Sequence, residues 1–128
     1  MEFRRINESH IAELACLHAT KEDLEAIRLA VQHLDERPWD GMADVEFHEA
    51  LAAASHSEVF EVTLQLFISM ISDYRNRFYT LPDYVAQARE SHMAIYEAIR
   101  DQDAAKARYE VERHLRIAQS FIEQHPEL

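Results

Sequence analysis

Apolar residues return at intervals of three or four along most of this 128-residue chain. From residue 85 to 99 the stripe runs Val85, Ala88, His92, Ile95, Ile99. From 104 to 121 it runs Ala104, Ala107, Val111, His114, Ala118, Phe121. That spacing places one face of an α-helix against a core. The same pattern predicts six helical segments. The first spans about residues 3–18. Thr20 caps the second, with Asp23 at its third position and a stripe of Leu24, Ile27, Val31 and Leu34. Pro38 opens a third that ends near Ser55. The fourth, about 57–78, is apolar on nearly every side, from Val59 and Phe60 to Ile71 and Tyr74, which predicts burial on more than one face. Pro82 opens the fifth, and the sixth follows a tight connection near Gln102–Asp103 and ends near Gln124. The class implied is an all-α antiparallel bundle, read as one domain over residues 1–128.

Composition narrows this further. A single glycine is too few for sandwiches or hairpin meanders and excludes a Gly-rich phosphate loop. A net charge of −11, with no Lys/Arg-rich stretch, argues against nucleic-acid binding by these residues. The longest apolar run, Val59 to Ile71, is interrupted by Glu61, Gln65 and Ser69 and is too short to span a membrane. The opening Met-Glu-Phe-Arg-Arg lacks the apolar segment of a signal peptide. Cys16, the lone cysteine, permits no internal disulfide and reads as a small buried apolar residue of a cytoplasmic protein. Trp39 and Phe47 read as core anchors at the start of the third helix.

Histidine is unusually frequent, with eight copies. His92 and His114 occupy the central core positions of their stripes, where leucines would be expected. They are also equidistant from residue 103, in the turn between the fifth and sixth helices. Antiparallel helices joined by a short turn bring such residues to one level. In the third helix Asp44, Phe47, His48 and Leu51 share a face, so an aspartate and a histidine four apart point the same way as two large apolar residues. Either histidine alone would be read as a satisfied core residue. Three imidazoles and a carboxylate converging inside an apolar bundle make a poor core unless something compensates them. A divalent transition metal such as zinc, nickel or manganese does so through three neutral nitrogens and one oxygen. The predicted ligands are Asp44, His48, His92 and His114. His10 shares a stripe with Phe3, Ile6, Leu14 and Leu17, which predicts that it points to the same interior. His18, His33, His56 and His125 fall at helix ends or among polar residues and read as solvated.

These segments resemble a known pattern. Asp44-Val45-Glu46-Phe47-His48-Glu49-Ala50-Leu51 is similar to the D-x-x-F-H-x-x-L segment of the FCD domain, the effector-binding domain of FadR-type regulators in the GntR family. The run from Glu90 to Asp103 resembles the family's E-H-x-x-I-x-x-A-I-x-x-x-D segment, with Ser91 standing as an extra residue between Glu90 and His92. Ala107 and His114-Leu115 fit its closing A-x-x-x-x-x-x-H-L, and Arg4, Glu8, Ala12, Leu14 and Ala15 fit its opening. Ser55-His56-Ser57-Glu58 departs from the Asn-Pro usual after the third helix.

The resemblance implies six or seven helices around a metal and ligand cavity. It maps the metal onto the same Asp44, His48, His92 and His114. It implies a small organic acid effector, with Arg75 and Arg77 as candidate ligand-binding residues beside His10, which its own stripe points inward, and a homodimer through the first and fourth helices. The family's N-terminal winged helix-turn-helix is absent from these residues. DNA would be contacted only through that domain if the chain belongs to a longer regulator; otherwise the chain is a stand-alone sensor. A helical-bundle metalloenzyme, a hydrolase or non-haem oxygenase using the same ligands, is the alternative. Against it stands the lack of a second inward acid or base at ligand spacing. A third alternative is a dimerisation module whose metal only stabilises folding.

Overall fold

The computed structural model describes residues 2–128, apart from the side chains of Met70, Tyr74 and Arg75. The elements are α1 (Glu2–His18), α2 (Lys21–Glu36), α3 (Gly41–Ala54), α4 (Glu58–Gln65), α5 (Ile68–Phe78), α6 (Pro82–Arg100) and α7 (Ala104–Gln124). All seven are helices, and no strand occurs among the described residues. α7 lies against α1 and α6, while α3 lies against α2 and α5. Among the described residues, no helix is long and apolar enough to cross a membrane.

Local chemistry sets the boundaries. Thr20 and Asp23 form a reciprocal capping box at the start of α2. Asp40 and Asp103 cap α3 and α7 by accepting from the amides of Met42 and Lys106. With one glycine in the chain, other residues take the left-handed conformations that end helices. Gln102 has φ 56°, while the Asp103 amide bonds back to the Ala98 carbonyl and the Gln102 amide to that of Ile99. This tight Schellman-type turn sends α7 straight back along α6. His56 takes φ 55° in the segment that replaces Asn-Pro, and its Nε2 lies 2.6 Å from the Asp23 carboxylate.

The single fourth helix expected over 57–78 is two helices. The amides of Leu66 and Phe67 bond to the carbonyls three residues back, Thr63 and Leu64, so the α-helical ladder tightens and breaks there. One turn earlier the Thr63 hydroxyl donates to the Val59 carbonyl, a contact that bends helices. The break turns Leu64, Phe67, Ile71 and Phe78 inward. It leaves Val59, Val62 and Leu66 about 70% exposed. The outward apolar face is therefore Val59, Val62 and Leu66, while Leu64 and Ile71 belong to the core.

Two further expectations need correction. The buried face of α1 is Arg4, Glu8, Ile11, Ala12, Ala15 and Cys16, so His10 lies on the outside with Phe3, Ile6 and Leu17. Trp39 is exposed, while Phe47 is fully buried. Cys16 is buried, and burial, aided by Asp103 and Glu13, pushes its thiol up to about 11, which makes it a poor nucleophile.

Candidate metal centre

α3, α6 and α7 converge on three histidines. The α6–α7 turn brings His92 and His114 to the same level, with ring centroids 4.6 Å apart. α3 presents His48, whose ring centroid is 5.9 Å from that of His114. One nitrogen from each of His48, His92 and His114 lies within 4.8 Å of the others, and all three side chains are buried. One turn before His48, Asp44 places Oδ1 3.7 Å from His48 Nε2 and 3.5 Å from His92 Nε2. Phe47 packs edge-on against His92, at 4.6 Å between centroids, and closes the apolar wall.

A second layer holds these rings. Glu8 of α1 places Oε1 2.7 Å from His48 Nδ1, and its Oε2 accepts from Arg4 Nε at 2.7 Å. Glu8 and Arg4 are themselves buried. Burial raises the Glu8 carboxyl, but Arg4 and His48 outweigh it and hold it at about 2. Ser91 of α6 is fully buried and places Oγ 2.8 Å from His114 Nδ1. Burial, with His92 and His48 nearby, keeps the His114 imidazole well below its ordinary 6.5 and hence neutral.

This donor set fits a divalent transition metal. Three imidazoles meet where water is scarce, one neutral and another, His48, with a buried Nε2 that has no hydrogen-bond partner among the described residues. A carboxylate stands beside two of them. His48, His92 and His114 with Asp44 would hold such an ion, as structural and catalytic metal sites do. Two cavities of about 10 Å³ each, the room of one water, flank the cluster. Glu8, His48, Leu64 and His114 line the first; Arg4, Asp44, His48 and His114 line the second.

The other expected ligand-binding residues lie elsewhere. His10 rests against Phe60 on the outer surface, 3.8 Å from the Glu13 carboxylate. Arg77 pairs with Asp73 and with the carbonyl of Leu128. The Arg75 side chain lies outside the described residues. The sequence pattern alone gives Arg4, Glu8 and Ser91 no role, although all three stand in the segments that resemble the family. The signal was the i,i+4 spacing of Arg4 and Glu8 on a stripe continued by Ile11, Ala12 and Ala15.

The FCD domain model matches residues 1–117. The chain belongs to the FCD domain family. Among curated relatives, it is 34% identical over 133 residues to the "Putative L-lactate dehydrogenase operon regulatory protein" of Escherichia coli, covering 99% of this chain and 52% of that protein. It is 30% identical over 124 residues to the "HTH-type transcriptional regulator LutR" of Bacillus subtilis, covering 90% and 57%. A shorter match, 39% over 66 residues, is to the "Uxu operon transcriptional regulator" of Escherichia coli. This FCD domain thus spans about half the length of the curated relatives that it matches along most of its own length.

The buried groups predict an acid response of the metal-free FCD domain. His114 resists protonation in the fold but takes up a proton when unfolded, so stability is intact above about 6.5 and falls as pH drops below it. The contribution of Glu8 is present above 4.5 and is lost as pH falls from there toward about 2. The melting temperature measured across pH should decline from about 6.5 downward, and a flat profile to pH 4.5 would contradict this.

Proposed function

We propose that this FCD domain is the effector-sensing, metal-binding part of a GntR/FadR-type transcription regulator of the cytoplasm, which binds a small organic carboxylate at a divalent metal. The observation that carries the reading is the convergence of three buried histidine nitrogens within 4.8 Å, beside the Asp44 carboxylate. The names of the relatives support the regulator role, and one of those names concerns an operon for an enzyme of lactate, a small hydroxy acid. When bound, a divalent cation with one aspartate and neutral imidazoles leaves a formal charge of about +1, which favours an anion in a water-poor interior.

An enzyme using the same ligands fits less well. Ligand spacing in the sequence marks no second inward acid or base, yet the structure turns Glu8 inward. Both its oxygens are nevertheless committed, one to His48 and one to Arg4, and its carboxyl sits at about 2. That is far from the range a general base needs near neutral pH.

The cavities beside the cluster are too small for an organic acid, so part of the wall must yield to admit one. α4 is the least anchored wall, since Leu64 is its one buried residue among those described. The same short helix carries Val59, Val62 and Leu66 outward. These residues, with Phe3 and Ile6 of α1, form the face proposed for a homodimer. Edge-on packing of Phe3 on Phe67 keeps the two parts of the face together. A shift of Leu64 would move the dimer surface and, in a full regulator, DNA-binding domains attached to it.

Two results are expected. In the metal-loaded domain some mono- or dicarboxylate raises the melting temperature in proportion to the logarithm of its concentration, and a chelator abolishes most of that shift. Equal shifts with and without metal would rule out the metal as the carboxylate's receptor. Val62→Glu should give monomers by light scattering, where the parent chain is dimeric at tens of micromolar. A monomeric parent chain would dispose of the dimer.

A further inference from the structure

His48 and His114 each turn Nδ1 away from the cluster toward a single built partner. For His114 that partner is Ser91, whose Oγ is 2.8 Å from Nδ1 and 2.9 Å from the Ala88 carbonyl. A serine hydroxyl has one proton, and a carbonyl can only accept. The arrangement that makes both bonds has Ser91 donating to Ala88 and accepting from His114 Nδ1–H. The reverse orientation, Ser91 donating to His114, would forfeit one of the two bonds in a fully buried place. For His48 the partner is the Glu8 carboxylate, an acceptor at both oxygens and already charge-paired with Arg4. Nδ1 of His48 must then carry the proton. In both rings the proton sits on the outer side, which leaves Nε2 with its lone pair. In His48 that Nε2 is the buried atom without a hydrogen-bond partner among the described residues.

We propose that Glu8 and Ser91 are positioning residues that set His48 and His114 as Nδ1–H tautomers in advance, so that both present Nε2 to the metal. The proposal rests on the metal-site reading above. Its physical basis is that a partner on the outer nitrogen fixes ring orientation and tautomer and strengthens the ligand. The two devices differ in chemistry. Glu8, held ionised by Arg4, supplies a charged carboxylate acceptor behind His48. Ser91 supplies a neutral acceptor behind His114, at the position where this chain departs from the adjacent Glu-His of its family pattern.

The test uses the full chain labelled with ¹⁵N and stripped by a chelator, followed by titration with zinc. Long-range imidazole correlation spectra should show His48 and His114 as Nδ1–H tautomers. Ser91→Ala should move His114 alone toward a tautomer mixture, and Glu8→Ala should do the same to His48. Glu8→Gln should largely restore His48, because the amide oxygen still accepts. Zinc affinity should fall about 10–100-fold in Ser91→Ala and Glu8→Ala, and less in Glu8→Gln. Ser91→Ala removes one hydroxyl and keeps the test decisive if Glu8→Ala does not fold. A parent chain that binds zinc while Ser91→Ala leaves both spectrum and affinity unchanged overturns the positioning roles alone. A parent chain that binds no zinc overturns the metal reading on which they rest.

Discussion

Alanine in place of His92 or His114 is expected to strip most of the bound metal from the protein. Both rings lie at the centre of the cluster, each within reach of the other two imidazoles, and among the described residues no fourth histidine joins the cluster to replace either. Residues that merely support a metal ligand typically cost 10–100-fold in affinity, so loss of a ligand should cost more than about 100-fold. The loss should also appear in stability. A ligand present at a thousand times its Kd adds about 4 kcal/mol, so removal should lower the melting temperature by about 10–20 °C in a chain of this size. Metal content measured by elemental analysis, beside melting curves with and without chelator, checks both effects. Full occupancy in both variants would refute the ligand assignment.

Phe47→Ala should be the most damaging single change outside the ligands. The side chain is fully buried, with its ring 4.6 Å from His92 and 5.5 Å from His48 between centroids. Truncating a buried phenylalanine costs about 3–5 kcal/mol through lost burial and the cavity left behind. Total stabilities of small domains are about 5–15 kcal/mol, so a large part of the margin would go. The rings of His48 and His92 would lose the wall that fixes them, and metal affinity should fall along with the midpoint of urea unfolding. A variant within about 1 kcal/mol of the parent would show that Phe47 is less tightly packed than the structure indicates.

The long, regular stripes of α6 and α7 were readable because their turn is short and their periodicity unbroken. Counting outward from residue 103 pairs His92 with His114, and their rings do lie side by side. α1 misled because its outer stripe is the greasier one. Phe3, Ile6, Leu14 and Leu17 look like a core face, whereas the true core face has small alanines and the Arg4–Glu8 pair. A charged pair that neutralises itself can be buried, and hydrophobicity alone does not register that. The same blindness hid Glu8 as the partner of His48. The break between α4 and α5 was illegible because neither glycine nor proline marks it; backbone bonds three residues back and a threonine hydroxyl make it. Arg77 is a ligand candidate only through the family resemblance, and its guanidinium is taken up by Asp73 and the C-terminal Leu128.

The most direct measurement is the metal content of the purified chain, taken by native mass spectrometry together with elemental analysis. The convergence of His48, His92, His114 and Asp44 predicts one divalent transition metal per chain, removed by chelator and restored on re-addition. A folded parent chain that carries no metal and takes none up at micromolar concentrations would contradict the account.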